Sequence, residues 1–138
     1  MRVVVLVKAT KESEAGVIPD KKLLTDMGKF NEELVRNGIM LAGEGLRASS
    51  IGKRVKFGSG APVVIDGPFA ETKELVAGFW IWKVKSMDEA LQWIKRAPFS
   101  REEVEIRQIF EAEDFGKELA PEVRAYEERL REQMASRK

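Results

Sequence analysis

The chain has 138 residues, 43% hydrophobic and 34% charged, with a formal net charge of +1. That is the profile of one globular domain with no global bias toward nucleic acid or a membrane surface. It contains no cysteine and no histidine, which excludes disulfides, thiol catalysis, thiolate metal sites, Ser-His-Asp triads and HExxH zinc centres. Acid–base chemistry is left to Asp, Glu, Lys, Arg or the single Tyr126.

Residues 1–11 hold an apolar run too short for a signal peptide or a membrane span, so a cytoplasmic protein is expected. Residues 3–7 form a continuous aliphatic run that reads as a buried strand. A polar loop follows over 10–17. Asp20 then stands as an N-cap before a helix with Leu23, Met27, Phe30 and Leu34 on one face, ended by Asn37-Gly38. Residues 39–42 read as a short strand. Residues 55–57 and 62–65 read as a hairpin around Gly58-Ser59-Gly60. Residues 75–84 give the strongest strand, with Val76, Gly78, Trp80, Trp82 and Val84 on one face and Leu75, Ala77, Phe79 and Ile81 on the other. Ser86 and Glu89 have capping-box spacing and open a helix that stops before Pro98. Residues 104–111 read as a final strand. Leu119, Val123, Tyr126, Leu130 and Met134 then mark an amphipathic C-terminal helix.

This order contains a βαββαβ kernel, the pattern of a ferredoxin-like α+β sheet with an added hairpin and a C-terminal helix. Two of its strands are apolar on both faces, and such strands need cover on both sides. An exposed face carrying Trp80, Trp82 and Val76 exceeds the apolar patch of an ordinary monomer. The expectation is a homodimer, two sheets stacked as a dimeric α/β barrel, with the tryptophans buried between them. Residues 1–116 are expected to form the domain and 117–138 a separable helical extension.

Residues 66–74 read DGPFAETKE and run into LVAGFWIWKVKSMDEAL. LAGEGL (41–46) precedes the hairpin and EIRQIFEAEDFG (105–116) closes the region. In that order these segments resemble the DGPF-domain branch of the YCII-related family, over about residues 1–116. The resemblance implies a dimeric α/β barrel of ferredoxin-like protomers. It also implies a link to small-molecule metabolism, or to genes beside sigma factors. The better-known branch resembles enzymes with a His–Asp dyad, which a chain without histidine cannot carry. Arg47 stands where many DGPF relatives have histidine. It is always charged and cannot serve as a base near neutral pH, so any chemistry that relatives perform at this position is expected to be lost here or replaced by anion binding.

Asp66 is the candidate acid or base if it faces an apolar cavity at the end of a buried strand. Its other reading is a carboxylate that fixes the turn by accepting loop amides. Glu44 and Glu71 are carboxylates near the same turns. No spacing among the three matches a calcium loop, so neither metal nor cofactor is expected. Arg47 is a candidate anion partner, Phe69 and Trp80 candidate apolar walls, and Gly78 a gap beside the tryptophans in which a ligand fits. Base stacking on Trp80 and Trp82 is not expected, since the RNP1 text of an RNA-recognition sheet is absent.

Two functions follow. One is a protein that binds a small metabolite, anionic if Arg47 contributes, between sheet face and DGPF loop, with cofactor-independent catalysis through Asp66. The other is a non-catalytic accessory protein, tied to sigma-factor regulation, that meets a protein partner through its C-terminal helix.

Overall fold

The computed structural model describes residues 1–137. It divides into two units, residues 1–108 and residues 109 onward. The first unit holds β1 (Arg2–Lys8), α1 (Lys11–Glu14), α2 (Lys21–Arg36), β2 (Met40–Gly45), β3 (Lys53–Lys56), β4 (Val63–Asp66), β5 (Val76–Lys83), α3 (Met87–Ile94) and β6 (Val104–Gln108). Four of the strands make one antiparallel sheet in the order β2-β5-β1-β6. With α2 and α3 as its helices, this is the ferredoxin-like α+β arrangement.

The local signals act as their chemistry requires. The Asp20 carboxylate accepts from the Leu23 N–H at 2.8 Å, satisfying a donor that the first turn of α2 leaves open. Gly38 takes φ +70° where the chain leaves that helix, a conformation that glycine adopts without steric cost. Ser86 Oγ accepts from the Glu89 N–H at 3.1 Å. The Glu89 carboxylate reaches one residue past the cap and accepts from the Lys85 N–H at 2.7 Å. Helix α1 lies inside the segment expected to be loop. Thr10 and Ser13 cap each other reciprocally, so a T-x-x-S box does what S-x-x-E does elsewhere.

The core lies between one sheet face and the two longer helices. Val3 and Val5 of β1 and Trp80, Trp82 and Val84 of β5 pack with Phe30, Leu34 and Ala90. The register sets Val3 opposite Trp82 and Val5 opposite Trp80. Phe30 meets both indoles edge-on, at ring separations of 5.9 and 6.4 Å. The expectation that a partner covers the tryptophans is corrected here. Trp80 and Trp82 are 5% and 0% exposed within a single chain, because α2 and α3 pack on their side of the sheet. The open face is the opposite one. Val4 is opposite Ile81, Leu6 is opposite Phe79, and all four are half-buried.

β3 and β4 pair as a separate two-stranded sheet with Lys53 opposite Asp66. The hairpin forms as expected, but every residue of both strands is exposed. Asp66 therefore does not end a buried strand.

In the second unit, Ala112–Phe115 forms a 3-10 turn. The Glu111 N–H turns to the Asp114 carboxylate at 2.7 Å and β6 stops at Gln108, short of its expected end. Helix α4 (Ala120–Ser136) follows and has no buried residue. Arg124 pairs with Glu113, and Phe110 lies against Phe115 with ring centroids 5.4 Å apart. Among the described residues no helix is long and apolar enough to cross a membrane.

Candidate functional site

A cavity of about 500 Å³ lies at the end of the sheet where β1 leaves, β2 ends and β5 begins. That is the size of a site for a small organic molecule. Its floor is made by glycine. Gly43 is opposite Trp80 and Gly45 is opposite Gly78 across β2 and β5. A Cβ on Gly43 would come 2.7 Å from Trp80 Cδ1, so its absence is what admits the indole. A Cβ on Gly78 would stand 3.1 Å from the Glu44 carbonyl oxygen, so the strands approach closely there. A Cβ on Gly45 would meet nothing within 4 Å.

The walls come from four places. Thr10, Glu12 and Ser13 contribute from α1 and its cap. Val17, Ile18 and Pro19 contribute from the connection into α2, Leu23, Leu24 and Met27 from α2 itself, and Phe99 from the segment before β6. Trp80 is held in place by its Nε1–H, which donates to Asn31 Oδ1 at 2.9 Å. Asn31 also lines the cavity. Its carboxamide is a polar group set among apolar walls, the combination that orients a ligand.

Lys8, Arg101, Glu12, Glu44 and Glu102 bring charge to the lining. Lys8 pairs with Glu105 at 3.3 Å. The Glu102 carboxylate accepts the Ser100 and Arg101 N–H groups at 3.0 and 3.1 Å. Burial works to raise this carboxyl. The backbone donors of Arg101, Glu102 itself and Ser100 together outweigh burial and hold it below the usual carboxylate range.

The DGPF segment holds something else. Gly67 N–H donates to the Gly52 carbonyl at 3.0 Å, and a Cβ on Gly67 would fall 1.7 Å from the Ser49 carbonyl oxygen. Phe69 N–H donates to Ser49 Oγ at 3.1 Å. Ser49 donates its own N–H to Glu14 at 3.0 Å and its hydroxyl to the other oxygen of the same carboxylate. The segment is thus fastened to the turn at residues 49–52, and that turn to α1. The Gly67–Pro68 peptide is cis. Arg54 lies over the Phe69 ring at 4.0 Å, a cation–π contact.

The residues singled out from the sequence therefore separate. Glu44, Gly78 and Trp80 line the cavity. Asp66 does not. Its carboxylate is 75% exposed and bonds Lys53 at 2.6 Å. Phe69 packs under Arg54, and Arg47 and Glu71 are exposed and outside the lining. Among the described residues no three acidic side chains gather as a metal site. Sequence reasoning missed α1, Asn31 and the 99–102 segment. Asn31 carried a legible signal, a carboxamide four positions after Met27 on the apolar stripe of α2.

A family model for the YCII-related domain matches residues 1–113. An uncharacterized protein of Rhizobium meliloti (strain 1021) is 30% identical over 76 residues, 55% of this chain and 61% of that protein. The match thus spans about three fifths of that relative's length. Among solved structures, 5-chloro-2-hydroxyhydroquinone dehydrochlorinase from Burkholderia phenoliruptrix AC1100, in complex with 2,5-dihydroxybenzoquinone, aligns at 16% identity with a TM-score of 0.47. The alignment covers 80% of this chain and 95% of that one.

Proposed function

The chain belongs to the YCII-related domain family, and from that premise we propose that it binds a small, largely apolar molecule with a polar end in the cavity beside Trp80. The observation that carries this reading is the glycine floor. Gly43 admits the Trp80 indole, Asn31 fixes that ring, and Gly45 leaves open space on the same strand. A cavity that served only packing would be filled, since empty apolar volume destabilises a fold.

Binding accounts for the polar groups better than catalysis does. Glu102 is held ionised by three backbone donors, so it is a poor proton donor near neutral pH. Asp66 belongs to a surface ion pair. We assign the DGPF segment the role of a latch that keeps the turn at 49–52, and α1 with it, in place near the cavity.

The functional unit is a homodimer in this reading. The open sheet face presents the half-buried Val4, Leu6, Phe79 and Ile81, and the β3–β4 hairpin exposes Val55, Phe57 and Val63. A second copy stacked sheet to sheet covers the first set.

The test is a thermal-shift screen of wild type and Gly45→Leu against small carboxylates, phosphates and phenolic aromatics. A compound present at a hundred times its Kd stabilises wild type by about 2.7 kcal/mol. The leucine side chain enters open space, so the variant is expected to fold and to lose that stabilisation. A compound that stabilises both proteins equally places the site elsewhere. The exposed stripe of α4 supports a separate role in protein contact that does not depend on the cavity.

A further inference from the structure

Helix α4 and its N-cap residue Leu119 carry apolar side chains at alternating four- and three-residue spacing. Leu119, Val123, Tyr126 and Leu130 occupy successive core positions of a heptad pattern. Leu119, Tyr126 and Leu130 are 52%, 55% and 38% exposed. Nothing in the helix is buried, so the seam is formed but not covered.

Charge decides what covers it. Glu122 and Arg129 stand a heptad apart on one flank of the seam, and Glu127 stands on the other. Arg129 already lies over the Tyr126 ring at 5.3 Å, at the edge of the stripe. In a parallel pair the two flanks of opposite helices face each other, which sets Glu122 against the partner's Glu127 twice. In an antiparallel pair like flanks face each other. Glu122 then meets the partner's Arg129 twice, and like charges are avoided. The antiparallel register also closes the core. Leu119 packs on the partner's Leu130 and Val123 on the partner's Tyr126, with the same two layers repeated by symmetry. Each of these four positions finds an apolar partner, and the contact is isologous.

We propose that α4 is a self-association surface whose occupant is α4 of a second copy, paired antiparallel. The contact draws on residues of α4 and its cap, none of which lines the cavity.

The chain has no cysteine, so disulfide trapping on the full-length protein reads the arrangement directly. Val123→Cys and Tyr126→Cys chains are mixed under a mild oxidant. The expected product is the mixed 123–126 disulfide, at least fivefold over either like-with-like product. Glu122→Arg alone slows trapping roughly tenfold, and Glu122→Arg with Arg129→Glu restores it. Repeating the mixture in an Ile81→Glu background removes any contribution from the sheet face and leaves the result unchanged. Like-with-like products in excess, faster trapping with Glu122→Arg alone, or no trapping in any mixture would each overturn the proposal. The last outcome would leave the stripe to a different protein.

Discussion

Single residues decide whether the cavity and the latch exist, and glycine shows the contrast most plainly. Gly45 faces open space and Gly67 faces a backbone carbonyl at 1.7 Å from its missing Cβ. Gly67→Ala is therefore expected to destabilise the fold by about 3 kcal/mol, at the upper end of overpacking costs, read as a lower urea midpoint. An unchanged midpoint would mean that the DGPF segment is not fastened to Ser49. Glu102 supplies a pH signature. Its pKa is lower folded than the ordinary 4.5, so its stabilisation is fully present above the unfolded pKa and is lost as pH falls through the folded one. Wild type should melt above Glu102→Gln at pH 7, and the gap should begin to close as the pH falls below the ordinary 4.5 and vanish once it has passed through the lowered folded value. A gap independent of pH would put the effect in packing. The Asp66–Lys53 pair was open to sequence reasoning, since the register of the hairpin sets the two opposite each other. The Phe69–Arg54 contact was not. It depends on how the chain returns after the hairpin, and no local pattern encodes that.

The elements were legible wherever their signal is local. The Asp20 cap, the stripe of α2, the β5 alternation and the Ser86 cap each rest on contacts within a few residues. The sequence order sufficed to assign the ferredoxin-like kernel. What was not legible was the side of β5 that the helices cover. Both faces of that strand are apolar, so alternation gives two faces without saying which is inner. Trp80 and Trp82 went to the inside because Phe30, Leu34 and Ala90 meet them there, a long-range outcome. Helix α1 was hidden by its length, one turn of polar residues held by a reciprocal cap. With it went the view of the cavity, whose wall includes the connection that follows α1.

At the scale of the whole molecule, apolar surface outside the core is the organising feature. The first unit has its half-buried sheet face and its exposed hairpin, and the second has the α4 stripe; water is a poor environment for all of them. In the dimeric reading the sheet face is the central contact. Ile81 sits opposite Val4 on β1 and Ala42 on β2, well inside that face. Ile81→Glu is expected to give a folded chain that sediments at half the mass of wild type under conditions where α4 does not pair, with its helical circular dichroism kept. A variant of unchanged mass would remove the sheet face from the assembly.

The placement of the indoles has a practical consequence. Trp80 lies at the cavity with its nitrogen bonded to Asn31, whereas Trp82 is sealed away with a nitrogen that has no partner. The two rings are 5.5 Å apart, close enough for excitation to pass between them. Light absorbed at the dry ring can reach the ring beside the cavity, so in the binding reading the protein's intrinsic ultraviolet emission would change on occupancy without any label.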